Sequence, residues 1–214
     1  MRRRPYRSPQ RRAASAATRE RIIVAASALL RSTNGVRRFS LESVGKAAGV
    51  TRLTVYNQFG SRRALLEAVF DAHALRGGLH RLAEAMADPD PFAALARLVS
   101  IFCDFWSFDP GAMAWLHGAG GVDAEFAESM RARQKRRRRA VSVLVARMVD
   151  RGVIGEPQRD DLIDIVHTLT GFPVFAGLTA DGRTSGAACT LIQAMVNDAV
   201  RRASAAPPPG KTSS

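Results

Sequence analysis

Three observations predict an all-α fold of two domains. Apolar residues recur every three or four positions from about residue 18 to 202, with no convincing alternating strand in the second half. Two short helical segments, from Ser40 and from Thr51, are separated by Gly49-Val50, which is the spacing of a helix-turn-helix. The charge is also lopsided. Residues 1–70 hold 15 Lys/Arg against 3 Asp/Glu, whereas residues 71–214 hold 17 against 16. These features predict a disordered basic arm over 1–17, a three-helix helix-turn-helix DNA-binding domain over 18–65, a larger helical bundle over 66–202 and a disordered tail over 203–214. Confinement of the excess charge to the first third is the footprint of a polyanion-binding module.

The arm, MRRRPYRSPQRRAASAA, carries six arginines, no acids and two prolines. It offers nothing to bury in a core, so disorder is expected. Two readings of it stand: a solubilising tail, or an arm adding phosphate or minor-groove contacts. The first helix starts at Thr18, with Ile22, Ile23, Ala26, Leu29 and Leu30 inward, and stops at Asn34-Gly35.

In the second helix Leu41, Val44 and Ala48 share one face and Glu42, Ser43 and Lys46 the other. Gly49 supplies the left-handed residue that ends it, and Thr51 caps the next helix. On a wheel of that next helix, Val55 and Phe59 point inward. Leu53 and Asn57 point away, with Thr54 and Tyr56 on the flanks and Arg52 in the first turn. A free-standing helix would place charge on its outer face. Short polar groups and a methyl-bearing side chain suit base edges instead. Ser61 caps a fourth helix that runs towards Leu75, and whose free N–H groups suit a phosphate.

The run GVTRLTVYNQFGSRRALL resembles the signature of the TetR family of bacterial transcriptional repressors. The resemblance rests on the small-residue turn, the Thr-x-Tyr-x-x-Phe run and the Gly-Ser-Arg that leads into the fourth helix. It covers roughly residues 18 to 70. Gln58 stands where the family usually has a phosphate-touching histidine or tyrosine, Leu53 where a small residue or proline is common, and Arg62 where lysine is usual. The resemblance implies that the candidate DNA contacts are Ser40, Thr51, Arg52, Leu53, Thr54, Tyr56, Asn57, Gln58 and Arg62. It also implies a C-terminal ligand-binding and dimerisation domain, a double-stranded operator and a small-molecule effector.

In the second half, Pro91 opens a helix through Trp106, Pro110 opens a short one closed by Gly118 to Gly121, and Asp123 caps a long one to about Arg151. A helix over about 158–180, kinked at Gly171 and Pro173, and one over 185–202 complete the bundle. Their small and aliphatic stripes suit a homodimer that presents two recognition helices. Aromatic and sulfur-bearing residues cluster here. They are read as bundle core, part of which lines a cavity in TetR-like proteins. The candidate ligand pocket is Phe102, Phe105, Trp106, Met113, Trp115, Phe126, Met130, Gln134, Arg137 and Phe172. The basic run 135–139 is either a solvated face or, on the stripe shared by Phe126, Met130, Val141 and Leu144, turns Arg137 and Gln134 inward. An inward arginine needs an anionic or hydrogen-bonding partner.

Cys103 and Cys189 lie in apolar contexts and read as small buried hydrophobes rather than redox sensors. His117 and His167 read as ordinary core or surface histidines, and no Cys/His spacing supports a metal. No cofactor is expected. No run is long enough to span a bilayer, and the arginine-rich start lacks the apolar core of a signal peptide, so a cytoplasmic protein is expected. No nucleophile–base set, phosphate loop or paired carboxylates point to an enzyme. A ligand-responsive DNA-binding regulator is the leading reading. The alternative is a sequence-indifferent DNA-organising protein that uses the basic arm.

Overall fold

A computed structural model describes residues 9–32, 39–119 and 124–205, and no strand occurs among them. Contacts divide the chain into two units. The first runs to Ala72 and includes Trp115–Ala127; the second comprises His73–Ala114 and the residues from Glu128 onward. The domain boundary expected at residue 65 lies inside a continuous helix, α4, described below.

The first unit opens with α1 (Pro9–Arg31). The helix starts nine residues before the expected Thr18, so residues 9–17 of the supposed disordered arm are helical; the rest of the arm lies outside the described residues. Pro9 fits the first position of a helix, where its missing N–H costs nothing, and four alanines follow within eight residues. Only the later half of α1 is buried. Ile22, Ile23, Ala26 and Leu30 face the core, while Gln10–Ala17 are exposed throughout. α2 (Leu41–Ala48), α3 (Arg52–Phe59) and α4 (Arg62–Arg76) follow. Val44, Val55, Leu65, Leu66 and Val69 are fully buried and close this small core. Trp115 belongs here too, its ring 5.5 Å from that of Phe39.

The second unit contains a short α5 (Leu82–Ala87), α6 (Pro91–Phe108), α7 (Pro110–Ala119, beginning in this unit), α8 (Ala124–Asp150, mostly in this unit), α9 (Arg159–Leu169), α10 (Phe172–Thr179) and α11 (Ser185–Ala205). Asp90 caps α6 by accepting from the N–H groups of Phe92 and Ala93, with Pro91 in the first turn. α6 is long and apolar enough to cross a membrane, but more than half of it is buried inside the protein, as a core helix must be. α11 packs on α6, α9 and α10.

The single kinked helix expected over 158–180 is instead two helices, α9 and α10, bent by 51° at their junction. Gly171 there is extended, and Pro173 sits in the first turn of α10. A Cβ on Gly171 would lie 3.1 Å from the Thr168 carbonyl oxygen and 3.3 Å from an Arg137 Nη atom. A side chain at this junction would require the Thr168 carbonyl and the Arg137 guanidinium to give by a few tenths of an ångström.

Cys103 is buried and Cys189 half-buried, both as free thiols. Burial, and then the neighbouring Cys189 thiol, push Cys103 well above its ordinary range. A thiol so disposed is a poor nucleophile. Cys103 should therefore resist alkylation in the folded protein and react at an ordinary thiol rate once unfolded. Rapid labelling of the folded protein at that position would contradict this.

Candidate nucleic-acid interface

Ser40 precedes α2 in extended conformation, and its hydroxyl accepts from the Ser43 N–H while Ser43 Oγ accepts from the Ser40 N–H. This reciprocal box satisfies two donors that a helix start otherwise strands. Gly49 ends α2 with φ 66°, the left-handed conformation expected from sequence. The chain then doubles back so closely that the Val50 N–H bonds the Gly45 carbonyl at 2.9 Å. A Cβ on Gly45 would meet the Val50 carbonyl oxygen at 3.0 Å and backbone atoms of Thr51 and Arg52 at 3.3 Å. Gly45 thus sets the approach of α2 to α3, a role that sequence reasoning missed. A glycine on the inner face of a short helix was the available signal.

Thr51 caps α3, accepting from the Thr54 N–H at 3.1 Å. Val55 and Phe59 are buried, as the wheel requires. Arg52, Leu53, Tyr56 and Asn57 are exposed and Thr54 half-buried, so one face of α3 presents five side chains to the outside. Leu53 at 65% and Tyr56 at 55% exposure are larger apolar groups than a solvated helix ordinarily displays without a partner.

Two candidates also make contacts within the domain. The Gln58 side-chain amide donates to Ser15 Oγ at 3.0 Å and the Gln58 backbone carbonyl accepts from Arg19 Nη1 at 3.0 Å, so Gln58 ties α3 to α1. Arg62 Nε donates to the Phe39 carbonyl at 3.3 Å, with the guanidinium over the Phe39 ring at 5.7 Å. Ser40 and Thr51 act as caps. The outward set is therefore Arg52, Leu53, Thr54, Tyr56 and Asn57. Ser61 accepts from the Ala64 N–H in the first turn of α4.

Residues 22–69 match the family model described as bacterial regulatory proteins, tetR family. The N-terminal domain belongs to the TetR family. No curated protein sequence matches the chain. Among solved structures, a TetR-like transcriptional regulator from Rhodococcus sp. RHA1 is 17% identical. It superposes with a TM-score of 0.67 over 87% of this chain and 97% of its own. A SmeT–triclosan complex gives 23% identity and a TM-score of 0.70 over 86% and 91%. A transcriptional regulator from Saccharomonospora viridis in complex with choline gives 16% and 0.65 over 87% and 96%. The fold is that of a TetR-type helix-turn-helix regulator with a helical C-terminal domain.

The candidate pocket residues are divided between the units. Trp115 and Phe126 belong to the first unit, Trp115 against Phe39. Met113 is buried on α7 and Met130 half-buried on α8. The remaining six converge in the second unit. The Trp106 ring lies 4.4 Å from Phe105, 5.5 Å from Phe172 and 6.1 Å from Phe102. The Arg137 guanidinium sits 5.7 Å from the Phe102 ring.

Arg137 faces inward, 8% exposed, while its neighbours Arg136 and Arg139 are exposed and Arg138 pairs with Asp164. Its fork donates to the His167 carbonyl at 2.5 Å, to Thr170 Oγ1 at 2.7 Å and to Gln134 Oε1 at 2.6 Å. No carboxylate pairs with it among the described residues. The compensating charge is the C-terminal end of α9, whose last carbonyls carry partial negative charge. Burial lowers its pKa to about 10, which leaves it a cation at neutral pH. Burial, and then that cation, lower His167 from its ordinary value, so the imidazole beside the guanidinium is neutral. A groove of about 670 Å³ lies elsewhere, lined by Phe92 and Leu95 of α6 and by Asn197, Val200 and Arg201 of α11. None of the candidate pocket residues lines it.

Proposed function

We propose that the chain is a cytoplasmic, ligand-responsive transcriptional repressor that binds a palindromic DNA operator as a homodimer. Release by a small-molecule effector is part of this reading. The observation that carries it is the outward face of α3. Arg52, Leu53, Tyr56 and Asn57 stand exposed, with Thr54 half-buried beside them and its hydroxyl 2.9 Å from that of Thr51, on a helix whose two ends are both capped. Donors, acceptors and apolar groups of these kinds are what base edges in a major groove bind.

A dimer through α9, α10 and α11 is supported by the exposed side of α11. Gly186, Ala187, Thr190, Ala194 and Asn197 are small or short residues at helical spacing, which lets a second helix approach closely. Effector release would act as a population shift, in which a ligand favours one separation of the two recognition helices and weakens operator binding by its differential affinity. Structures of this fold in complex with triclosan and with choline support a small-molecule effector. The aromatic cluster around Trp106 and Arg137 is the candidate site for it, suited to an apolar body with an acidic group.

The test is selection of binding sites from a random DNA library on the full chain, followed by alanine substitution. Arg52→Ala and Asn57→Ala should each cost about 1–3 kcal/mol on the selected site and less on random duplex. Equal losses on both would refute base reading by that residue. Recovery of no preferred sequence would favour a sequence-indifferent DNA-organising protein.

A further inference from the structure

We infer that the early turns of α1 and the C-terminal end of α3 together form a binding site for backbone phosphates of duplex DNA, beyond the stretch that α3 itself reads. The inference rests on the reading of α3 as DNA-facing.

A groove of about 480 Å³ runs between these two elements, lined by Arg11, Arg12, Ser15, Ala16, Arg19 and Gln58, all within the first unit. The first two turns of α1 bury no apolar side chain, so the core gives no reason for the helix to reach this far. Yet its orientation is fixed. Ser15 accepts from the Gln58 amide, Arg19 donates to the Gln58 carbonyl, and the Arg19 guanidinium lies over the Phe59 ring at 4.3 Å. Arg11, Ser15 and Arg19 are spaced four apart and share one helix face, so fixing Ser15 and Arg19 also sets the direction of Arg11.

Charge points to the occupant. Among the described residues neither Arg11 nor Arg12 is paired with a carboxylate, whereas in the second unit Arg81 pairs with Asp104, Arg138 with Asp164 and Arg201 with Asp198. The C-terminus of a helix ordinarily repels an anion through its free carbonyls. Here Arg19 covers the Gln58 carbonyl, which turns that end of α3 from repelling to accepting. The lining holds no apolar residue larger than alanine, so it offers an acyl chain nothing. It adjoins Asn57 on the face already assigned to DNA. At 1.5 Å per residue, Arg11 stands about 12 Å along α1 from Arg19. Phosphates on one strand succeed one another about every 3.4 Å of duplex axis, so Arg11 and Arg12 reach phosphates outside the span of α3.

The experiment measures the affinity of the full chain for random-sequence duplex DNA across a salt series, for wild type, R11A/R12A and R201A/R202A. The last pair removes the same charge from the far end of the chain. All substituted side chains are exposed, and unchanged melting confirms the fold. The slope of log affinity against log salt should fall by about 1.8 per protomer in R11A/R12A, at about 0.9 per lost phosphate contact, and stay at the wild-type value in R201A/R202A. An unchanged slope in R11A/R12A, or an equal fall in both variants, overturns the inference and leaves the DNA reading of α3 intact. Absence of salt-dependent binding by the wild type overturns both.

Discussion

Replacing Arg137 with alanine is expected to lower the stability of the protein by about 3 kcal/mol, read as a shift in denaturant midpoint. Three acceptors lose their donor at once: the His167 carbonyl, Thr170 Oγ1 and Gln134 Oε1. The His167 carbonyl lies at the end of α9, where its other donor is the Thr170 hydroxyl at a long 3.4 Å. A void is left against Phe102 as well. The guanidinium also carries a cost. Burial lowers its folded pKa to about 10, well below the ordinary arginine range, so the unfolded chain holds this proton more tightly. That penalty is fully present below pH 10 and fades only as pH rises above it. Arg137→Met keeps the volume and removes the penalty, so it should lose less than alanine. A loss under about 0.5 kcal/mol for alanine, the size of a surface change, would show that the fork does not hold the end of α9.

The second large effect is expected at Gly45. Valine there would drive its Cβ to 3.0 Å from the Val50 carbonyl oxygen and 3.3 Å from the backbone of Thr51 and Arg52. Backbone atoms in a capped turn cannot swing aside as a flexible side chain can, so α3 must move relative to α2. We expect a loss of about 2–3 kcal/mol in stability, in the upper part of the range for overpacking. Binding to the selected DNA should fall more steeply than stability, because a recognition face displaced by an ångström no longer meets base edges. Gly49→Ala is a useful comparison: its Cβ meets nothing within 4 Å, and the strain lies only in its φ of 66°. If Gly45→Val bound DNA like wild type, the turn would be more pliable than the structure indicates.

The helix-turn-helix was legible because its signals are local. Gly49, Thr51, Val55 and Phe59 each act through neighbours within a turn or two, and all four behave as their residue types require. The start of α1 was less legible. Six arginines without acids read as a disordered arm, whereas the alanines between them and the attachment of Ser15 and Arg19 to Gln58, some forty residues away, favour a helix from Pro9. The internal contacts of Gln58 and Arg62 were hidden for the same reason: their partners, Ser15 and Phe39, are distant in sequence. Periodicity left Arg137 either on a solvated face or turned inward, and it could not reveal that the end of a separate helix would receive the side chain. Nor could periodicity assign each inward aromatic to a unit, which is why Trp115 and Phe126 were grouped with Trp106.

Arg137 is not the only arginine of α8 used in this way. Ten residues further on, Arg147 donates to the carbonyls of Met86, Asp88 and Pro89, at and just beyond the end of α5. Two helix ends are thus bolted to one shaft at points about 15 Å apart. Each fork is planar and accepts little rotation, so α8 cannot twist at one bolt while staying seated at the other. Two ends of separate helices are thereby held in register along α8, and loosening either fork would free one end while leaving the other seated.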